Sequence, residues 1–125
     1  MDGIIYSFEK LNVWQEAKAL VIDVYRLLEA FPLTEKYALC DQIRRAIISV
    51  PSNIAEGSGR TSVKEKIHFV EIAYGSLMEV YNQLLIAVDL QYIHKENLDS
   101  IKPNIDNVAK MLNGLRTTFY NQLTN

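Results

Sequence analysis

The chain has 125 residues, of which 49% are hydrophobic and 22% are charged, so its composition fits one globular domain and not a disordered segment. Lys plus Arg number 13 and Asp plus Glu number 15, for a formal net charge of −2. This balance argues against a protein that binds nucleic acid through its overall charge, although it allows a local basic patch.

The first predicted helix covers about residues 11–30. Its apolar side chains follow one another at 3-4-3-4 spacing: Trp14, Ala17, Val21, Val24 and Leu28. A second row repeats every seven residues: Val13, Leu20 and Leu27. Together the two rows form an apolar face wider than one central seam requires. Phe31-Pro32 ends the helix, because a residue before proline avoids the helical region.

The second predicted helix covers about residues 34–57, with Thr34 as its N-cap. Pro51 lies inside its apolar pattern, which predicts a kinked but continuous helix. Gly57 or Gly59 is expected to end it by adopting a positive φ.

The third predicted helix covers about residues 62–93, and Ser62 with Glu65 predicts a capping box at its start. It is apolar almost all round, which indicates burial on more than one side. The fourth covers about residues 95–123 and has the clearest heptad pattern: Leu98, Ile101, Ile105, Val108, Leu112, Leu115 and Phe119.

Four long helices with short links predict an all-α, antiparallel up-down-up-down four-helix bundle that forms a single domain over residues 1–125. Helices one and three carry more apolar surface than such a bundle can bury, so we expect self-association through them. The alternative is that Tyr74, Tyr81 and Tyr92 simply lie flat on the surface.

A polar stripe on the second helix carries the most information. Its five side chains recur at 3-4-4-3 spacing beside the apolar row: Gln42, Arg45, Ser49, Asn53 and Glu56. One interpretation is a hydrogen-bonded network with the third helix, in which Arg45 can reach Glu79 and Ser49 can reach Glu71. The other interpretation is a contact surface for a ligand or RNA.

The same region resembles a known family. The matching segments are Leu11-Asn-Val-Trp14-Gln15-Glu-Ala17, Phe31-Pro32, Gln42-Ile43-Arg44-Arg45-Ala46, Ser49-Val50-Pro51-Ser52-Asn53-Ile54-Ala55-Glu56-Gly57 and Ala73-Tyr74-Gly75-Ser76-Leu77-Met78-Glu79. With these segments the chain resembles the bacterial four-helix-bundle proteins encoded in intervening sequences of 23S ribosomal RNA genes, which are also called ribosomal-protein-like. The fourth helix matches them only in its apolar pattern.

This resemblance implies an antiparallel bundle that assembles into a ring-shaped homo-oligomer, commonly a pentamer, with no established catalytic activity. The family is also similar to the accessory protein of diversity-generating retroelements, which binds a reverse transcriptase and nucleic acid. The implied partners are therefore further copies of the chain and either RNA or a partner protein.

Basic residues surround the start of the third helix, where free backbone N–H groups and the helix dipole favour an anion. The candidate phosphate or RNA contacts are Arg44, Arg60, Lys64 and Lys66. The alternative is that Ser62 and Glu65 already satisfy those N–H groups and that the lysines are merely solvated.

No motif predicts a catalytic residue, a metal site or a cofactor. His68, His94 and Cys40 are isolated, and Glu65-Lys-Ile-His68 supplies only one copy of a di-iron spacing that needs two. The lone cysteine, the lack of a signal-peptide pattern and the lack of a long apolar run lead us to expect a cytoplasmic protein without a membrane span. Two alternatives to a binding protein remain open: a purely structural scaffold, or a small enzyme with a site at a subunit interface.

Overall fold

The computed structural model describes residues 3–124, and over that range the chain is helical and contains no strand. Its four long helices are α1 (Asn12–Leu28), α2 (Leu39–Ser58), α3 (Val63–Asp89) and α4 (Lys95–Thr124). Two short 3-10 segments precede α1 and α2 respectively: Ser7–Lys10 and Leu33–Glu35.

The helices form a four-helix bundle in which each packs against the next and α4 packs back against α1. Contacts between α2 and α3 run in opposite chain order, because Ser49 meets Ser76 while the later Gly57 meets the earlier Phe69. The same reversal holds between α3 and α4: Glu71 contacts Arg116, and Tyr81 contacts Lys102. Both neighbouring pairs are therefore antiparallel, as predicted.

Each helix contributes side chains that are fully shielded from solvent, such as Leu20, Ile43, Leu77 and Leu112. In α1 the buried side chains come from both predicted rows. Val13 and Leu20 of the second row are buried, whereas Trp14 of the first row is only half-buried. The hydrophobic core thus lies along the axis of the bundle, where it stabilises all four helices.

The start of the second helix was predicted too early. Residues 34–38 are not part of α2, and Thr34 does not cap it, because it lies in the 3-10 turn Leu33–Glu35. Leu33 is 87% exposed and Tyr37 is 81% exposed, so this segment has no apolar row to bury against the core. A regular helix begins only at Leu39, where inward-facing side chains resume.

The end of the third helix was predicted too late, since α3 stops at Asp89 and not at residue 93. Gln91 adopts a left-handed φ of 64°. The N–H of Tyr92 donates to the carbonyl of Ala87, and the N–H of Gln91 donates to that of Val88, each at 2.9 Å. This is a Schellman motif with glutamine in the place where glycine is usual, so no glycine marked the end in the sequence.

Neither Gly57 nor Gly59 adopts the positive φ that was expected of them. Gly57 is a buried helical residue, and a Cβ built on it would lie 2.8 Å from Phe69 Cβ. Its role is close approach between α2 and α3, not helix termination. The helix itself is continuous through the buried Pro51, as predicted.

Candidate functional site

The centre of the polar stripe joins α2 to α3 through a small hydrogen-bonded network. Ser49 Oγ lies 2.9 Å from Ser76 Oγ across the two helices. Asn53 Nδ2 donates to both the carbonyl and the hydroxyl oxygen of Ser49, each at 2.8 Å. Both Ser49 and Asn53 are half-buried, so these bonds satisfy polar groups beside the core.

The two cross-helix pairs that the antiparallel register made reachable are not formed. Ser49 bonds to Ser76 instead of Glu71, because Ser76 lies directly opposite it and a serine side chain is short. Glu71 instead lies 3.8 Å from Arg116 Nη1 on α4.

Arg45 is exposed and has no carboxylate partner among residues 3–124. Glu79, which the register made reachable, accepts a hydrogen bond from Gln83 Nε2 at 3.2 Å. The outer members of the stripe, Gln42, Arg45 and Glu56, all face solvent. Because these three residues are exposed, they do not line a deep pocket together in the described structure.

Gln83 is a polar core residue that the sequence did not single out. It is only 7% exposed, and its Oε1 has no hydrogen-bond donor in the described part of the chain. Its position one turn after Glu79 was the available signal, because residues four apart on a helix are neighbours. Within the described residues, Gln83 Oε1 therefore has no donor and Arg45 has no carboxylate partner.

Three of the four candidate phosphate contacts lie together at the start of α3. Arg60 and Lys64 are exposed and Lys66 is half-buried, and none of them pairs with a carboxylate of residues 3–124. The Arg60 guanidinium lies 4.8 Å from the centre of the Phe69 ring. We call these three residues the basic cluster. They are close because they are neighbours in the chain around one helix start.

Arg44 does not belong to the basic cluster. It pairs with Asp41 at 2.9 Å and donates to the Lys36 carbonyl at 3.2 Å. It also lies near the other end of α2, roughly 21 Å along the helix axis from Ser58 at 1.5 Å per residue. Its charge is therefore compensated locally and distant from the cluster.

The helix start itself is partly capped. Ser62 Oγ accepts a hydrogen bond from the backbone N–H of Glu65 at 3.4 Å, which is the first of the two bonds of the predicted capping box. That bond satisfies one of the free N–H groups at the start of α3, so an anion there would depend mainly on the charges of the basic cluster.

No cluster of three or more His, Cys, Asp or Glu side chains within residues 3–124 is arranged to hold a metal ion. The His68 ring contacts Phe69, with 5.7 Å between the ring centres. Cys40 is buried, and burial raises the pKa of its thiol, which opposes the thiolate form that a nucleophile needs.

None of the four helices has a stretch of the length and hydropathy that crossing a bilayer requires, over the residues described.

The predicted surplus of apolar surface lies on aliphatic side chains more than on the tyrosines. Tyr74, Tyr81 and Tyr92 are half-buried against the core, and the Tyr92 ring lies 5.5 Å from that of Phe31. Besides Tyr25 on α1, large aliphatic side chains remain exposed on α1, on α3 and at the residue that caps α3: Ile22, Ile72, Leu85, Ile86 and Leu90. The long tyrosine side chains reach back onto the core, whereas these aliphatic positions point away from it.

Comparisons with known proteins agree with the helical architecture. In a solved structure from Bacteroides thetaiotaomicron VPI-5482, a protein of unknown function from the S23 ribosomal protein family has the same fold, with a TM-score of 0.75 and 22% sequence identity. The match covers 83% of this chain and 97% of that one. No curated protein matches the chain. The family model described as 23S rRNA-intervening sequence protein matches residues 9–114. The chain therefore belongs to the 23S rRNA-intervening sequence protein family.

Proposed function

We propose that this protein is a non-enzymatic, self-assembling helical bundle that acts as an RNA-binding accessory factor. The observation that carries the proposal is the basic cluster: Arg60, Lys64 and Lys66 stand at one helix start without a carboxylate partner among the described residues. Unpaired cations beside a helix N-terminus are suited to phosphate, which accepts charge-assisted hydrogen bonds from arginine and lysine.

Assembly would compensate for the small size of this cluster and for the net charge of −2. A ring, with a pentamer favoured by the family resemblance, repeats the cluster once per subunit. Several weak sites on one assembly bind a long RNA with far higher avidity than a single site does.

Self-assembly is supported by a row of exposed apolar side chains on α3. We call Ile72 and Ile86, on α3, and Leu90, the residue that caps it, the α3 apolar stripe, because spacings of 14 and 4 residues bring them to one side of the helix, with the exposed Glu79 between the first two. Exposed apolar groups that lie together commonly mark a protein interface.

Filter binding of a structured RNA hairpin tests the RNA proposal at about 50 mM and about 200 mM salt. We expect binding that weakens with salt. The double variant Arg60→Gln/Lys64→Gln should reduce the slope of log affinity against log salt by about two, since each lost phosphate contact removes nearly one. The charge-matched control is Lys95→Gln/Lys110→Gln, on α4. No binding by the wild type at low salt would refute the RNA proposal and leave a partner protein as the candidate.

Sedimentation velocity tests the assembly proposal. We expect the wild type to sediment as an oligomer and Ile72→Ser/Ile86→Ser to dissociate it. The control, Leu33→Ser/Tyr37→Ser, changes two equally apolar exposed residues in the turn before α2 and should leave the oligomer intact. A monomeric wild type at high concentration would refute the proposal.

A purely structural scaffold is the second candidate, and the network of Ser49, Asn53 and Ser76 is the observation that favours it. Arg45 forms no ion pair within the described protomer. If Arg45→Ala dissociates the oligomer in light scattering while the protomer stays folded, Arg45 contacts another copy. An oligomer unaffected by this change would contradict an assembly role for the stripe.

A further inference from the structure

A cavity of about 240 Å³ lies at the end of the bundle where α2 finishes and α3 begins. Its walls come from the first 3-10 segment, the residue before α1, and three of the four helices, α2, α3 and α4. We propose that this cavity binds a small amphipathic carboxylate, with its apolar body between the helices and its carboxylate at Lys66.

The apolar body follows from the lining. Ile54, Val70, Leu115 and Phe119 present hydrocarbon surface. Gly57 adds no side chain, because Phe69 approaches its Cα too closely for a Cβ. An apolar cavity of about 150 Å³ is sufficient to bind benzene, so by proportion this one suits roughly ten non-hydrogen atoms.

The negative head group follows from charge. Lys66 is the one charged side chain in the lining, and no acidic residue lines the cavity. Its ammonium lies 5.8 Å from the centre of the Phe119 ring and has no carboxylate partner within residues 3–124. A lysine whose aliphatic stem lies along an apolar wall presents its ammonium group at the rim, where one carboxylate would form a charge-assisted hydrogen bond with it.

The hydroxyl groups also favour a single acceptor group over a polar ring. Ser58 Oγ already donates to the Ala55 carbonyl at 2.8 Å. The Ser7 hydroxyl and the Lys66 ammonium are then the side-chain donors of the lining. A nucleobase would bury more polar edge atoms than these groups can satisfy. The cavity shares Lys66 with the proposed RNA contact, whereas Arg60 and Lys64 do not line it.

The test is a titration of the ¹⁵N-labelled protein with octanoate, followed by NMR, with octanol as the uncharged comparison. We expect saturable shifts at Gly57 and Val70, and tighter binding of octanoate than of octanol. Lys66→Met should weaken octanoate binding about tenfold or more and leave octanol binding unchanged, since it removes the charge and keeps an apolar stem. Lys110→Met, at an exposed position of α4 outside the cavity, is the control and should change neither.

Leu115→Trp tests whether the ligands bind in this cavity. The indole ring is larger than the leucine side chain at this half-buried position, so it should fill the cavity and abolish binding of both ligands. Circular dichroism checks that this variant folds, and the Lys66→Met comparison stands without it. Three outcomes would overturn the proposal: no saturable shifts in the wild type, equal octanoate affinity in Lys66→Met and the wild type, or shifts confined to residues distant from the lining. The first outcome counts against the proposal even if its cause is a neighbouring copy that covers the cavity.

Discussion

Replacing Gly57 with alanine tests a close approach between α2 and α3. The added Cβ would lie 2.8 Å from Phe69 Cβ, a distance that real Cβ atoms do not adopt, and both atoms are next to the backbone. Neither can move away by a change of rotamer, so α2 and α3 must separate. Gly57 is buried, which leaves no path for the strain to be relieved into solvent.

Two opposing effects set the magnitude. Alanine in a helix interior is favoured over glycine by about 1 kcal/mol. Overpacking of a well-packed contact costs about 1–3 kcal/mol. Gly57→Ala should therefore lower the free energy of unfolding by up to about 2 kcal/mol.

The matched control is Gly114→Ala. Gly114 is exposed inside α4, and a Cβ built on it meets nothing within 4 Å. Only the helix propensity acts there, so this variant should be more stable than the wild type by about 1 kcal/mol.

Urea denaturation measures both variants at one fixed protein concentration, because the proposed self-assembly would make stability depend on concentration. The expected result is a lower midpoint for Gly57→Ala and a higher midpoint for Gly114→Ala, with unchanged slopes. If the two variants gain stability equally, α2 and α3 do not meet at Gly57 and Phe69, and close helix packing is not the reason for a glycine at position 57.

Three further predictions concern single positions. Gln91→Gly should raise the free energy of unfolding by about 0.5–1 kcal/mol, and with it the denaturation midpoint. It removes the strain of a left-handed non-glycine residue, about 1–2 kcal/mol, at a cost of about 0.5–1 kcal/mol in the extra chain entropy that glycine loses on folding. An unchanged or lower midpoint would contradict this. Ser49→Ala should cost about 1 kcal/mol by leaving the Ser76 hydroxyl unpaired, and Ser49→Ala/Ser76→Ala should cost less than the two single changes added; additive costs in the same denaturation assay would argue against the bond. Burial raises the pKa of Cys40 above its usual 9.0, with Arg44 opposing, so the neutral thiol is favoured in the fold. The stability that comes from the raised pKa is complete below the usual pKa and is lost as pH rises through the raised one. The rate of alkylation by iodoacetamide should accordingly rise at higher pH in the folded than in the unfolded protein. Identical pH profiles for the two states would refute this prediction.

The helices of this protein could be found from the sequence because their signals are local. The heptad of α4 and the serine cap of α3 depend on residues within one or two turns, and both were found where expected. The errors fell at the ends of helices. Gln91 ends α3 in a conformation usual for glycine, and the residues after Pro32 form a 3-10 turn where a helix start was expected. Neither outcome has a strong compositional signal.

The candidate site divides in the same way. Arg60, Lys64 and Lys66 were predicted to lie together because they are near neighbours in the chain. The partners of the polar stripe were not predicted correctly, and Gln83 was not singled out at all. An antiparallel register limits which residues lie at the same level, but the rotation of each helix decides which side chains touch.

The sequence by itself therefore determined the number of helices, their apolar faces and the basic character of the α3 start, because all three follow from spacing along one chain segment. The tertiary structure alone decided that Ser49 meets Ser76, that Arg45 has no carboxylate partner among the described residues, and that a cavity forms beside Gly57. Each of these features depends on how residues of different helices face one another. The contact of Gly57 with Phe69 shows this, because a Cβ built on Gly57 would lie 2.8 Å from Phe69 Cβ, and periodicity along one helix does not encode such a contact.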